Sequence, residues 1–190
     1  ALISRSPAAW AAVLAVLVLL LVLYLPFFLP RATPAGELIG RPVRVMTFNL
    51  GADRAPPEAL VAAEAAAVAD IVALQELVPT NARALRAGLA ERYPYASVDP
   101  ELSDCGLLSR YPILAAEPFR PAGFGRPALQ ARVDVEGTLF RVIVVHPEPP
   151  TFYWLARWPV PTGLGYERLD QEIADIAARA AVLPGPVLVM

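Results

Sequence analysis

The sequence predicts an α/β domain preceded by one transmembrane helix. In the first half of the domain, short apolar runs of the kind that form strands alternate with segments of helical spacing. In the second half, short β-type runs follow one another without helices between them, which is typical of antiparallel strands. An uncharged apolar segment at the start of the chain predicts the membrane helix.

The apolar segment runs from Ala8 to Leu29 without a charged residue. A helix rises about 1.5 Å per residue, so this segment is long enough to cross the roughly 30 Å hydrocarbon core of a bilayer. The alternative is a cleaved signal peptide, whose apolar region is normally only about 7 to 15 residues long and ends at small residues. We therefore expect a membrane anchor over residues 1–30 and a linker over 31–42, with the domain on the extracytoplasmic side.

The charge and cysteine content of the chain exclude some functions. The formal net charge is −2, and the basic residues are all arginines that form no basic run. Such a mildly acidic surface disfavours non-specific binding of nucleic acid. Cys105 is the single cysteine, which excludes a disulfide within the chain and a zinc site built from thiolates. No sequence feature indicates a protein partner.

The first half of the domain predicts the order strand, helix, strand, helix. Strands are expected over 43–48 and 71–75, where apolar residues predominate. A helix over 56–68 begins at two prolines, which are favoured in a first helical turn. A second helix over 80–92 carries leucines at helical spacing and ends before a proline.

The second half of the domain predicts mainly antiparallel strands. The β-type runs cover 105–109, 128–135 and 138–145, and Glu136-Gly137 joins the last two as a tight hairpin. The proline-rich and aromatic stretch over 147–165, which includes Trp158, is read as a packed loop.

The last segments of the chain predict one more helix and one more strand. A helix over 166–182 places Leu169, Ile173 and Ile176 on one apolar face. A final strand is expected over 186–190.

Polar side chains with oxygen ligands stand at the ends of the first two strands. Asn49 ends the first strand, and Glu76 follows the second. If these strands are neighbours, the amide and the carboxylate lie close together, because open α/β folds place their chemistry at the carboxyl ends of strands. One amide and one carboxylate suit a hard divalent cation.

Four motifs in order give the chain a family resemblance. They are Thr47-Phe48-Asn49, Leu74-Gln75-Glu76, Gly106-Leu107-Leu108-Ser109-Arg110-Tyr111-Pro112 and Val145-His146-Pro147. In this order they resemble the endonuclease/exonuclease/phosphatase superfamily, and the His-Pro-x-Pro-Pro segment is similar to that of bacterial membrane-tethered members. The resemblance implies a deoxyribonuclease I-like fold, a four-layered α/β/β/α sandwich in which two mixed sheets pack face to face with helices outside.

The resemblance also implies a function and roles for three residues. Glu76 would be the principal ligand of Mg²⁺, with Mn²⁺ as an alternative metal, and Asn49 would help to hold the metal or a phosphate oxygen. His146 would contact the scissile phosphate. The implied activity is hydrolysis of a phosphodiester or phosphomonoester by a metal-activated water. Arg110 and Tyr111 are read as a structural strand end.

Each of these three residues also has a structural interpretation. Glu76 can be a solvated strand-end carboxylate, and Asn49 can be a turn residue before Gly51. His146, the single histidine, can be a hydrogen-bonded structural residue. Asp104 stands where relatives often carry substrate-side polar residues, and no role is assigned to it.

Two family motifs are missing from this sequence. They are a Gly-Asp-Phe-Asn motif, which would follow the strand that ends at Met190, and a later Asp-His pair. We therefore expect residues 43–190 to form the N-terminal portion of an enzyme domain and to be inactive alone. The alternative is a membrane-tethered binding or scaffold domain that has lost catalysis. A phosphate-ester substrate from lipid suits a membrane tether better than DNA does.

Overall fold

The computed structural model describes residues 6–29, 41–154 and 161–190. Contacts between Cα atoms divide the chain into two units, Ala1–Pro42 and Val43–Met190. Most of the expected linker, residues 31–40, lies outside the described residues, as does Trp158.

The N-terminal unit contains the helix α1 (Pro7–Phe28), which is 22 residues long. Its segment Pro7–Leu25 is long and apolar enough to span a bilayer, a test that signal sequences near an N-terminus also pass. α1 includes Pro26 and continues for two residues beyond it. Proline has no N–H to donate to the helix ladder, and the N–H of Leu29 donates to the carbonyl of Leu25 at the end of the helix.

The domain contains ten strands and three α-helices in its described residues. In chain order they are β1 (Val45–Asn49), α2 (Pro57–Ala66), β2 (Ile71–Gln75), α3 (Pro79–Gly88), β3 (Tyr95–Ser97), β4 (Gly106–Ser109), β5 (Ile113–Phe119), β6 (Ala128–Val135), β7 (Thr138–Val144), β8 (Thr151–Trp154), β9 (Pro161–Gly165), α4 (Glu167–Val182) and β10 (Val187–Val189).

The strands form two mixed four-stranded sheets and one hairpin. The first sheet has the order β1-β2-β4-β3, with β1 and β2 parallel and the other pairs antiparallel. The second sheet has the order β10-β7-β6-β5, with only β10 and β7 parallel. The strands β8 and β9 pair separately. The expected α/β fold with two mixed sheets is confirmed.

Alternation of side chains along the strands builds a core on each face of the first sheet. Between the sheets, Ile71 and Leu107 pack with Val133 and Val142 of the second sheet. On the other face, side chains such as Leu74 pack beneath α2 and α3. Every residue of β2 is buried, since this strand is covered on both faces.

The fourth layer is α4, which lies on the outer face of the second sheet. Arg179 of this helix contacts Gln130, whose neighbours Leu129 and Ala131 point the opposite way into the core. The four-layered arrangement is thus complete within the described residues. The predicted apolar face of α4 is wrong at one residue. Ile173 is 51 % exposed, and Glu172 is buried in its place.

Three strand segments differ from the sequence prediction. β3 and β5 were not expected: β3 has only three residues, and β5 contains Pro118, which an edge strand tolerates. The stretch 147–165 was read as a packed loop, but its described parts form the β8–β9 hairpin. Thr151 and Gly165 are register partners at the open end of the hairpin, so the prolines of this stretch do not prevent cross-strand pairing.

Two other segments agree with the prediction. The β6–β7 hairpin turns at Glu136 and Gly137, both in left-handed conformation with φ of 53° and 88°. This is the pattern of a tight two-residue turn.

Arg110 forms an ion pair with the buried Asp70 at 3.0 Å, and the N–H of Arg44 donates to the other oxygen of Asp70. Arg110 thus has a structural role at the end of β4.

A buried carboxyl group on α2 makes the stability of the domain depend on pH. Glu64 is fully buried, and neither of its oxygens has a hydrogen-bond partner among the described residues. Burial raises the pKa of Glu64 to about 7, against a smaller opposing effect of Arg92. The folded state therefore retains a proton on Glu64 at pH values where the unfolded chain has lost it.

We predict that Glu64→Gln removes a pH-dependent destabilisation. As pH rises from the ordinary glutamate value of 4.5 to about 7, the unfolded state releases this proton first, so wild-type stability falls by about 3 kcal/mol. The difference in free energy of unfolding between the Glu64→Gln variant and the wild type, measured by urea denaturation at pH 5 and pH 8, should grow with pH. A constant difference would contradict the prediction.

Candidate active site

The parallel pair β1 and β2 brings the first two predicted site residues together. Asn49 and Gln75 are register partners, so Glu76, the next residue, emerges at the same edge of the sheet as Asn49. Glu76 has a φ of 55°, in the left-handed region that non-glycine residues rarely occupy. Such backbone strain occurs preferentially at functional sites.

A hydrogen bond joins the two side chains. Asn49 Nδ2 donates to Glu76 Oε1 at 2.9 Å, and Asn49 Oδ1 accepts from the N–H of Gly51 at 2.8 Å. A carboxylate accepts only and a backbone N–H donates only, so this network fixes the orientation of the amide. The Asn49 hydrogen bond holds the pKa of Glu76 below its usual range. Desolvation opposes this effect, and His146, Arg54 and Arg126 each lower the pKa by a smaller amount.

The third predicted residue, His146, follows β7 and lies beside Glu76. Its Nε2 is 3.6 Å from Glu76 Oε1, and its Nδ1 is 3.1 Å from Asp104 Oδ2. The Asp104 carboxylate can only accept a hydrogen bond, so it pairs with the imidazole in the form that carries a hydrogen on Nδ1. The structure thus brings together Asn49, Glu76 and His146, which are far apart in sequence.

Arg126 is a site residue that the sequence reasoning missed. Its Nη1 lies 3.0 Å from Nδ1 and 3.2 Å from Nε2 of His146, and its Nε is 3.9 Å from Glu148 Oε1. The register of the β6–β7 hairpin contains the signal that could have found it. Leu129 pairs with Val144, so the residues that precede β6 lie beside those that follow β7. A turn at 136–137 therefore predicts Arg126 next to His146.

Asp104 and Cys105 complete the wall of the site next to His146. The backbone carbonyl of Asp104 accepts the N–H of Leu77 at 2.8 Å, which fixes Asp104 beside the residue after Glu76. The Cys105 thiol is buried and lies 3.7 Å from Asp104 Oδ1. Burial raises the pKa of Cys105 to about 12, and the negative charge of Asp104 adds to this effect. Cys105 is therefore a packed thiol and not a nucleophile.

The donor set of the site fits a metal that needs few protein ligands. Among the described residues, no three His, Cys, Asp or Glu side chains form a ready-made metal cluster. Mg²⁺ is commonly held by one or two carboxylates and keeps several waters. Glu76 meets this requirement, because it is 26 % exposed and Asn49 bonds to only one of its oxygens. The amide oxygen of Asn49 accepts one hydrogen bond, from Gly51, and its second lone pair is available as a ligand beside Glu76.

The fold defines a two-sheet α/β sandwich with a polar site at one edge, and comparison with known proteins gives the family. The sequence pattern of the Endonuclease/Exonuclease/phosphatase family matches residues 46–190. The chain belongs to this family, whose enzymes hydrolyse phosphate esters and typically use Mg²⁺. No curated protein sequence matches the chain significantly.

Solved structures with the same fold include a sphingomyelinase and a TDP2 protein. The chain is similar to sphingomyelinase C from Streptomyces griseocarneus, with 19 % identity and a TM-score of 0.56 over 79 % of this chain and 63 % of that one. It is also similar to a humanised TDP2 from D. rerio, with 16 % identity and a TM-score of 0.56 over 77 % of this chain and 63 % of that one.

A further structural relative is a family protein from Leptotrichia buccalis, with 14 % identity and a TM-score of 0.54 over 78 % of this chain and 67 % of that one. At these identities the similarity establishes the fold alone. The chain spans about 63 % of the length of the sphingomyelinase and of TDP2.

We predict that Asn49→Ala raises the pKa of Glu76 toward its ordinary value. The Asn49 hydrogen bond is the largest influence that lowers this pKa, and its loss leaves only the more distant positive charges. The measurement is a carbon-13 NMR titration of the Glu76 carboxyl group. Thr47→Val is the matched control, because Thr47 lies on the same strand but bonds to Gln75. Equal shifts in both variants would contradict the prediction.

We predict that Cys105 resists alkylation in the folded protein. With a pKa of about 12, only about one thiol in ten thousand is ionised at pH 8, and the thiolate is the reactive form. Iodoacetamide at pH 8 should label the native chain far more slowly than the urea-unfolded chain. Rapid labelling without denaturant would show that the thiol is accessible and ionised.

Proposed function

We propose that the full-length protein is a divalent-metal-dependent phosphoesterase. The observation that carries this proposal is the convergence of Glu76, Asn49 and His146 at one strand edge, with Arg126 beside the imidazole. One negative group can hold a cation, and two nitrogen-rich groups next to it can contact the oxygens of a phosphate. Membership of the family supports the same activity.

We assign a separate task to each side chain. Glu76 would hold Mg²⁺, or Mn²⁺, through the oxygen that Asn49 leaves unbonded, and Asn49 would orient that carboxylate and lend its amide oxygen. The metal would neutralise phosphate charge and lower the pKa of a bound water. His146 and Arg126 would hold the phosphate oxygens and stabilise the charge that develops on them. Asp104 would fix the tautomer of His146.

The membrane unit and the charge of the chain guide the choice of substrate. We propose that α1 anchors the protein, that 31–42 is a linker and that the domain works on the extracytoplasmic side. A tethered, mildly acidic domain meets lipid phosphodiesters more readily than nucleic acid, since a nucleic-acid site normally carries a basic surface. The substrate class proposed is therefore a lipid or other small phosphate ester.

We predict that Glu76→Gln lowers hydrolysis by the full-length protein at least about 100-fold, because the variant keeps the shape of the side chain but loses the charge that holds the cation. The assay uses Mg²⁺ or Mn²⁺ with sphingomyelin, phosphoinositides and single-stranded and double-stranded DNA. Glu117→Gln, an exposed glutamate on β5, is the control and should retain full activity.

Calorimetric titration with Mg²⁺ separates binding from catalysis in the same proteins. Loss of both Mg²⁺ binding and hydrolysis in Glu76→Gln is the expected result. Wild-type protein that binds Mg²⁺ but hydrolyses none of these substrates would instead support a binding domain that has lost catalysis. Hydrolysis of DNA with inert lipids would overturn the proposed substrate class.

A further inference from the structure

One face of α4 packs against residues 119–124, which lie just before Arg126 in the chain. Arg168, Glu172, Asp175 and Arg179 follow one another at steps of three and four residues, so they lie on one side of the helix. Three of them contact residues 119–124. The Arg168 guanidinium lies 4.6 Å from the Phe124 ring centre, Asp175 Oδ2 accepts the N–H of Ala122 at 3.1 Å, and the Arg179 guanidinium lies 4.2 Å from the Phe119 ring centre.

Glu172 is the buried member of this face and contacts two loops at once. Its Oε2 accepts the N–H of Glu148 at 3.2 Å, from the loop that follows His146. The same carboxyl group packs against Gly125: a Cβ at that position would lie 2.9 Å from Cδ and 3.1 Å from Oε2 of Glu172. The side chain is 0 % exposed, so both contacts are shielded from water.

We propose that Glu172 is a positioning residue that holds Arg126 and His146 in register with each other. Gly125 directly precedes Arg126, and Glu148 is two residues after His146. One carboxyl group therefore fixes the backbone next to both phosphate-contacting side chains. Among the described residues, no hydrogen bond or ion pair joins Glu172 to the imidazole or the guanidinium, so its role is to act through the two loops.

The energetics of the position favour this role over simple packing. Glu172 Oε1 has no hydrogen-bond partner among the described residues, and burying such an oxygen costs free energy. The spacing of Leu169 and Ile176 on the same helix shows that an apolar side chain would suit the face. An apolar residue, however, cannot accept the N–H of Glu148, so only the carboxyl group ties the two loops together.

The first test measures the loop contact without reference to activity. In the full-length protein, Glu172→Ala should lower the hydrogen-exchange protection of the Glu148 amide about tenfold and shift the ring signals assigned to His146. Glu172→Gln keeps an oxygen acceptor of the same length and should restore both signals. Glu64→Ala is the matched control, because it removes another fully buried carboxyl group on α2 and should leave both signals unchanged.

Gly125→Ala approaches the same contact from the loop. Its new Cβ would meet Glu172 and the carbonyl of Pro121, both at 2.9 Å, so it should move the His146 signals in a protein that keeps Glu172. This variant also tests the proposal if Glu172→Ala does not fold. Unchanged Glu148 exchange in Glu172→Ala, or unchanged His146 signals in Gly125→Ala, would overturn the proposal. Equal effects of Glu64→Ala would do the same.

The second test rests on the proposed function. If the full-length protein hydrolyses phosphate esters, Glu172→Ala should lower kcat about tenfold with a smaller change in KM, and Glu172→Gln should recover kcat. If kcat of Glu172→Ala falls only in proportion to the fraction of folded protein, the result would count against a positioning role. Loss of Glu148 protection on Glu172→Ala substitution in a protein without hydrolase activity would refute the proposed function and leave the role of Glu172 intact.

Discussion

The parallel pairing of β1 with β2 is the constraint on which the rest of the domain depends. β2 is buried on both faces, by the second sheet on one side and by α2 and α3 on the other, so its register cannot slip without exposing one of the two cores. That register sets Asn49 opposite Gln75 and delivers Glu76 to the edge of the sheet. The backbone strain at Glu76 is tolerated because the buried strand before it fixes the chain direction.

The site is built from charges that alternate in space. His146 lies between the carboxylates of Glu76 and Asp104, and Arg126 lies against the imidazole and near Glu148. Each acidic group thus has a nitrogen-bearing neighbour. The pKa of Glu76 is lowered mainly by the Asn49 hydrogen bond, and the positive groups nearby add to that effect. Because its pKa is lowered, the Glu76 carboxyl group can bind a cation without first losing a proton. The same arrangement leaves the Arg126 side chain 36 % exposed and accessible to an anion.

The sequence predicted those parts of the fold and site whose signal is local. β2, the β6–β7 hairpin and the pair Asn49 and Glu76 follow from apolar runs, a two-residue turn and polar strand ends. Arg126 could not be read locally, because it belongs to an irregular segment and meets His146 only through the register of the hairpin. β3 and β5 were missed for a related reason: their pairing with neighbouring strands, and not their composition, makes them strands.

Glu64 and Glu172 show why helical periodicity alone does not assign the inner face of a helix. Both are fully buried glutamates on helices that cover the sheets, and both carry an oxygen without a partner among the described residues. Burial raises the pKa of Glu64 to about 7, so protonation relieves the cost of burying its charge. Glu172 instead accepts a backbone N–H from the loop beside His146. The periodic pattern assigned Ile173 to the inner face of α4, whereas Glu172 lies on that face with Leu169 and Ile176, and Ile173 is exposed to solvent. A polar contact at the edge of the site therefore takes the inner position that the apolar pattern had assigned to Ile173.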